Sequence, residues 1–218
     1  MGEVFQFLSS ASLERLTGKR AHKLEELLSL IKTCADSSIF YHTFSALLKM
    51  REVQVPYNSD FAIWASRSLN ERALAEKLMA IDLSEYNTIA SLRMRLVEII
   101  ETYRDLRSEA FQKIADEPFY LYDVVRFVYL TDKFAYDLKS FRELVSSISV
   151  YSLYFHFIES RLTTKLQADD FSTWIEESLN IPSLAQAIQG IDITVYTLEG
   201  LRARILRLID DQLQEGSA

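Results

Sequence analysis

Apolar residues recur every three or four positions along most of this chain. Leu24, Leu27, Leu28 and Ile31 form one such stripe, and Leu138, Phe141, Leu144, Val145 and Ile148 form another. That spacing gives an α-helix one apolar face. Thr17 and Thr131 precede these stripes as candidate caps, because a threonine oxygen can accept an orphaned amide of a first turn. Ser37 to Arg51 and Tyr151 to Lys165 are apolar almost all round. Their aromatic and β-branched residues would also allow strand. Their length, and the lack of internal Gly or Pro, favour helix, and a helix apolar on every side belongs in the middle of a bundle. Two short stripes follow, Phe61 with Trp64 and Phe171 with Trp174, behind Asp60 and Asp170 at candidate N-caps. Leu74, Ala75, Leu78 and Met79 then match Leu184, Ala185 and Ile188, where Pro182 suits a first turn. Thr88 and Thr197 are candidate caps of a last helix, with Leu92, Leu96, Ile99 and Ile100 set against Leu201, Ile205, Leu208 and Ile209.

These stripes occur in the same order twice. Residues from Phe5 to about Tyr103 recur as Phe119 to about Leu213, after the break at Glu117-Pro118. His42 falls on His156 at an offset of 156 − 42 = 114. Past a four-residue deletion, Asp60-Phe61-x-x-Trp64 falls on Asp170-Phe171-x-x-Trp174 at 170 − 60 = 110. A period of this length argues for a repeat architecture. The expected fold is all-α: two homologous bundles of about five helices each, packed with pseudo-twofold symmetry. Residues 1–103 would form the first repeat, 104–118 a charged helical linker, and 119–218 the second repeat.

Composition narrows the class. The 218 residues are 49% hydrophobic and 25% charged, which suits a globular protein. Five Gly and three Pro are too few for the many tight turns of a sandwich or barrel. A net charge of −7 disfavours nucleic acid as a partner. No apolar run reaches the ~18 residues of a membrane span, so no membrane partner is expected. One cysteine, Cys34, cannot form an internal disulfide, and a cytoplasmic location is the default.

The candidate chemistry lies in a few polar residues on apolar faces. His42 and His156 read first as core histidines tied to a carboxylate such as Asp60 or Asp170, since a buried imidazole needs partners. They read second as a ligand site. His156 and Glu159 have the i, i+3 spacing that puts two ligands on one helical face, but Ser45 stands at the Glu159 position of the first copy, so a symmetric metal site is incomplete. Arg93 and Arg202 fall on apolar faces and need carboxylate partners, for which Asp82 and Asp192 or Asp60 and Asp170 are the nearest choices. Alternatively they clamp an anion. Trp64 and Trp174 serve as core anchors or as the floor of a pocket. No Walker loop, nucleophile elbow, dinucleotide fingerprint or Cys/His zinc spacing is present, so no catalytic residue, metal or cofactor is assigned.

The strings Asp36-Ser-Ser-Ile-Phe-Tyr-His42, Asp60-Phe-Ala-Ile-Trp64, Leu92-Arg93 and Ser152-Leu-Tyr-Phe-His156, with Glu159 and Arg161, resemble a prokaryotic family known only as a domain of unknown function. The resemblance covers almost the whole chain. It implies a two-copy helical protein, in some members associated with sugar-processing or glycosyltransferase genes, and it transfers no catalytic residue. Relatives often carry further histidines just after the His42 position, where this chain has Thr43, Phe44 and Ser45; a metal held there in relatives would be lost here. The expected function is a non-catalytic binding or protein-interaction module acting through a groove between the copies. The alternative is a small-molecule or metal-binding protein, an enzyme included, using His42, His156, Glu159 and the inner arginines at the repeat interface. A third reading is a homodimer formed through the aromatic surface. The partner is thus an unidentified protein or a second copy.

Overall fold

The computed structural model describes residues 3–44, 59–86, 88–163, 168–193 and 195–215. Its element order is β1 (Phe5–Ala21), α1 (Leu24–Thr33), α2 (Asp36–Thr43), α3 (Asp60–Arg67), α4 (Arg72–Met79), a 3-10 turn (Leu83–Glu85), α5 (Ile89–Leu106) and α6 (Ser108–Gln112). It continues with β2 (Phe119–Ala135), α7 (Leu138–Ser147), α8 (Val150–Tyr154), a π turn (Phe155–Glu159), α9 (Ser160–Thr163), α10 (Asp170–Glu177), α11 (Pro182–Gln189) and α12 (Leu198–Glu215).

The two strands correct the all-α expectation: the fold is mixed α/β, with a two-stranded sheet of order β1-β2. Thr17 and Thr131 are strand residues rather than caps. Thr17 Oγ1 donates to the Leu121 carbonyl at 2.7 Å, and Thr131 Oγ1 donates to the Phe7 carbonyl at 2.5 Å. One strand therefore ascends as the other descends. The spacings 17 − 7 = 10 and 131 − 121 = 10 agree, so the two strands advance in step between these points.

The expectation of an internal repeat of self-contained helical bundles is corrected as well. Contacts divide the chain into one unit of Met1–Ala11 with Arg126–Ala218 and another of Ser12–Val125. Each unit thus takes part of β1 and part of β2; Ser12–Val125 is one continuous segment, the other unit joins two, and neither is purely helical.

In the unit built on Met1–Ala11 and Arg126–Ala218, Phe5 and Phe7 are buried among Phe141 of α7, Phe171 of α10 and Trp174. Ile205 and Ile209 of α12 are fully buried, and Asp137 with Ser140 forms a capping box at the start of α7. Helix α8 runs through the π turn into α9. In the other unit, Phe119 and Leu121 of β2, Leu27 and Ile31 of α1, Phe61 of α3 and Leu92 and Ile100 of α5 are all buried. Phe61 and Phe119 stack with centroids 5.2 Å apart. The charged segment expected as a linker is helical over Ser108–Gln112 and is tied down beyond it: Ala115 N donates to His22 O and Asp116 N to Ser68 O.

Caps sit one residue earlier than expected. Ser59 and Asp169 cap α3 and α10, accepting from Ala62 N and Ser172 N, and Asp60 and Asp170 occupy the first turn. Thr88 caps α5, and the Thr197 hydroxyl accepts from Gly200 N at the start of α12. Asn70 and Asn180 leave α3 and α10 at φ 54° and 56°, a left-handed conformation that Asn adopts more readily than most residues. The expected continuation of α2 through Arg51, the loop Glu52 to Asn58, Ser45 and the segment Thr164–Gln167 lie outside the described residues.

Candidate functional site

The histidines sit in equivalent bonding arrangements, one in each unit. His42 of α2 is 2% exposed; its Nδ1 is 2.9 Å from Asp60 Oδ2, and the Tyr122 amide of β2 donates to its Nε2 at 3.0 Å. His156 of the π turn is also 2% exposed, with Nδ1 2.7 Å from Asp170 Oδ2 and the Leu8 amide of β1 donating to Nε2 at 2.7 Å. A backbone amide can only donate, so each Nε2 is the bare nitrogen and each Nδ1 carries the hydrogen that Asp accepts. Both ring nitrogens are thereby spent. The result is a relay that runs from the strand backbone through the imidazole to a helix first turn. Ser152 Oγ donates to the Leu8 carbonyl at 2.5 Å, so helix side chains satisfy both polar groups of Leu8.

The tryptophans hold the same ends of the strands. Trp64 Nε1 donates to Glu117 O at 2.8 Å and Trp174 Nε1 to Glu3 O at 2.6 Å. Trp64 lies against Phe119 and Trp174 against Phe5, the residues that also touch His42 and His156. The structure therefore brings His, Asp and Trp together around the first strand residue in each unit.

The arginines go elsewhere. Arg93 donates from Nη2 to Asp36 Oδ1 at 2.7 Å and from Nη1 to the Ile31 carbonyl and Cys34 Sγ. Burial alone would lower its pKa, but Asp36 and Cys34 hold it above the usual value. The same burial pushes the Cys34 thiol up, with Arg93 opposing. Arg202, 8% exposed, donates to Val145 O at 2.6 Å and grips Glu199 through Nε at 2.8 Å. Each guanidinium thus ties α5 or α12 to the end of α1 or α7. The arginines thus meet Asp36 and Glu199 in place of the expected Asp82 and Asp192, which are exposed, and Asp60 and Asp170 serve the histidines. Asp36 was missed because it lies 57 residues from Arg93, whereas Glu199 lies only 3 from Arg202 and was within reach of a local reading.

Glu159 and His156 take different partners. Both lie in the π turn, whose pitch differs from that of the α-helix on which the i, i+3 expectation rests. Glu159 is 2% exposed and accepts from Arg126 Nη1 at 2.9 Å. Burial raises its pKa, and the Arg126 charge offsets only part of this. Asp169 is fully buried and also shifted up by burial, against Arg161 at 3.2 Å and the Ser172 bonds. Among the described residues, no group of three His, Cys, Asp or Glu side chains comes together. Two open clefts of about 510 and 500 Å³ border α5, and Arg93 is the one sequence-predicted candidate on their walls. Their charged walls are internally matched, as by Lys32 on Glu101 at 2.6 Å.

The sequence reading missed one surface. Val125 to Leu130 of β2 are six consecutive exposed residues, and Phe127, Val128, Tyr129 and Leu130 are 56%, 52%, 51% and 72% exposed. Exposure on both faces of a strand is unusual for such residues. The signal that could have found it is the β-branched and aromatic run Val-Val-Arg-Phe-Val-Tyr-Leu.

Among the described residues, no helix is long and apolar enough to cross a membrane. No curated protein matches the chain. The solved structure of OrfY from Thermoproteus tenax is similar to it at 27% identity and a TM-score of 0.84, over 96% of this chain and 95% of that one. The model of a family of unknown function, DUF5752, matches residues 2–210; its description mentions neither a tandem repeat nor a restriction to prokaryotes. With nearly its whole length matched, the chain belongs to this family of unknown function, DUF5752.

Proposed function

We propose that this protein is a non-catalytic interaction module whose working surface is the exposed half of β2, Arg126–Ala135. The observation that carries this reading is the run Phe127-Val-Tyr-Leu130, more than half exposed on a two-stranded sheet. A strand edge offers a ladder of amides and carbonyls to any extended partner, and proteins usually guard such edges with charge. The exposed half of β1 is guarded in this way by Glu14, Arg15, Lys19 and Arg20. The β2 run carries no charge from Phe127 to Thr131. The histidines support the same reading from the other side: with both nitrogens committed, His42 and His156 act as pins that hold strand to helix. The single thiol fits a cytoplasmic setting.

A photo-crosslinking amino acid in place of Val128 tests the surface in cells. It should yield discrete protein adducts that disappear when Leu130→Lys is added. Absence of adducts, or adducts indifferent to Leu130→Lys, overturns the reading.

A further inference from the structure

We infer that the partner of the β2 edge is a second copy of this chain, joined by antiparallel pairing of β2 with β2 about Tyr129. The inference rests on the interaction reading above and specifies its partner.

The direction of each backbone group along β2 is set by two bonds. Tyr122 gives its amide to His42, so Tyr122 points away from β1. Direction alternates along a strand: Val124, two residues on, gives its amide to Asp123 Oδ1, and the two strands advance in step from Leu121 to Thr131. Arg126, Val128, Leu130 and Asp132 therefore also present their amides and carbonyls on the outer edge. A symmetric antiparallel pair must match these outward residues with one another. Centring the twofold on Tyr129 does so: Val128 faces the partner's Leu130, and Arg126 faces the partner's Asp132, with sums 128 + 130 = 126 + 132 = 258.

Every residue-centred twofold has the right parity, and the alternatives differ in what they bring together. A centre at Val128 sets Arg126 against Leu130, and a centre at Leu130 sets Val128 against Asp132. Among the outward residues, only the Tyr129 centre places opposite charges together and apolar residues together. It does so twice, once on each side of the axis. The charges are accessible, since the Arg126 side chain is 35% exposed and Asp132 is exposed. The result is a four-stranded sheet of order β1-β2-β2-β1. Its outer strands carry the charged β1 edges, which stop further growth.

Sedimentation of the full chain at low- to high-micromolar concentration should show a dimer. Tyr129 would meet the partner's Tyr129 as a non-hydrogen-bonded pair with Cα atoms about 4.5 Å apart. That distance lies within the range a disulfide spans. Tyr129→Cys should therefore form a covalent dimer under mild oxidation, whereas Phe134→Cys, far from the axis, should not. Val128→Pro removes an outward amide that the β1–β2 ladder does not use, and it should give a monomer with an unchanged helical spectrum. Should Val128→Pro lose its fold, Leu130→Lys puts a charge against Val128 and should weaken the dimer at least tenfold. A wild-type monomer, or a dimer in which Tyr129→Cys fails to cross-link, overturns the inference. A monomer whose Val128 adducts contain another protein overturns it while sparing the interaction reading. A monomer without adducts overturns both.

Discussion

Replacing His156 with Phe tests the pin. The ring's packing is kept, because His156 already stacks on Phe171 at 5.6 Å and lies 5.0 Å from Phe5. What is lost is polar. The Leu8 amide loses its acceptor, which costs about 1–3 kcal/mol when the group is shielded from water. Asp170 loses a charge-assisted bond of about 1.5–3 kcal/mol. Because 32% of the Asp170 side chain is exposed, water recovers part of the second term. The net expectation is about 2–4 kcal/mol of destabilisation. His156→Gln keeps an acceptor for Leu8, and His156→Asn keeps a donor for Asp170, so each should lose roughly half. Urea denaturation followed by circular dichroism gives the free energies, and amide exchange at Leu8 locates the loss. A His156→Phe protein within about 0.5 kcal/mol of wild type, or unchanged Leu8 protection, would show that the bond network does not hold the strand.

Tyr103 provides a pH test. It donates to Glu71 at 2.6 Å, and burial together with that carboxylate pushes its pKa up to about 12. The native state then holds the proton more tightly than the unfolded chain, whose tyrosine titrates near pH ~10. This contribution is complete below about pH 10 and disappears as pH rises through the folded value. Tyr103→Phe should flatten the stability curve over that alkaline window, and an unchanged slope in pH-resolved denaturation would refute the assignment. Arg202→Met should cost about 2–3 kcal/mol by freeing the Val145 carbonyl and the end of α7, while Glu199→Gln, at a 59% exposed partner, should cost far less; equal losses on thermal melting would mean that the backbone bond is not the stronger one.

The polar skeleton was partly legible. The recurrence of His with Asp and Trp at matched positions pointed to residues that share a task, and the folded chain gathers them around Phe119 and Phe5. The acceptors on the far side were not legible. The Tyr122 and Leu8 amides lie 80 and 148 residues from the histidines they meet, and a backbone amide leaves no trace in residue identity. The arginines were legible as needing partners, because their place on an apolar stripe is local information. Asp36 answered Arg93 only because the fold brings α2 beside α5, whereas Glu199 lies one turn before Arg202 on α12 and was within reach of a local reading.

The amino-acid order by itself determined the helices: stripes such as Leu24–Ile31 and Leu138–Val145 are local, and a helix closes its own hydrogen bonds within four residues. Only the tertiary structure decided the strands. Residues 11–16 and 125–130 expose both faces, so they show no two-residue alternation, and a strand completes its bonds only with a segment more than a hundred residues away. The same reason hid the candidate surface. An exposed edge is a property of how strands are ordered in a sheet, and that order exists only once the chain has folded.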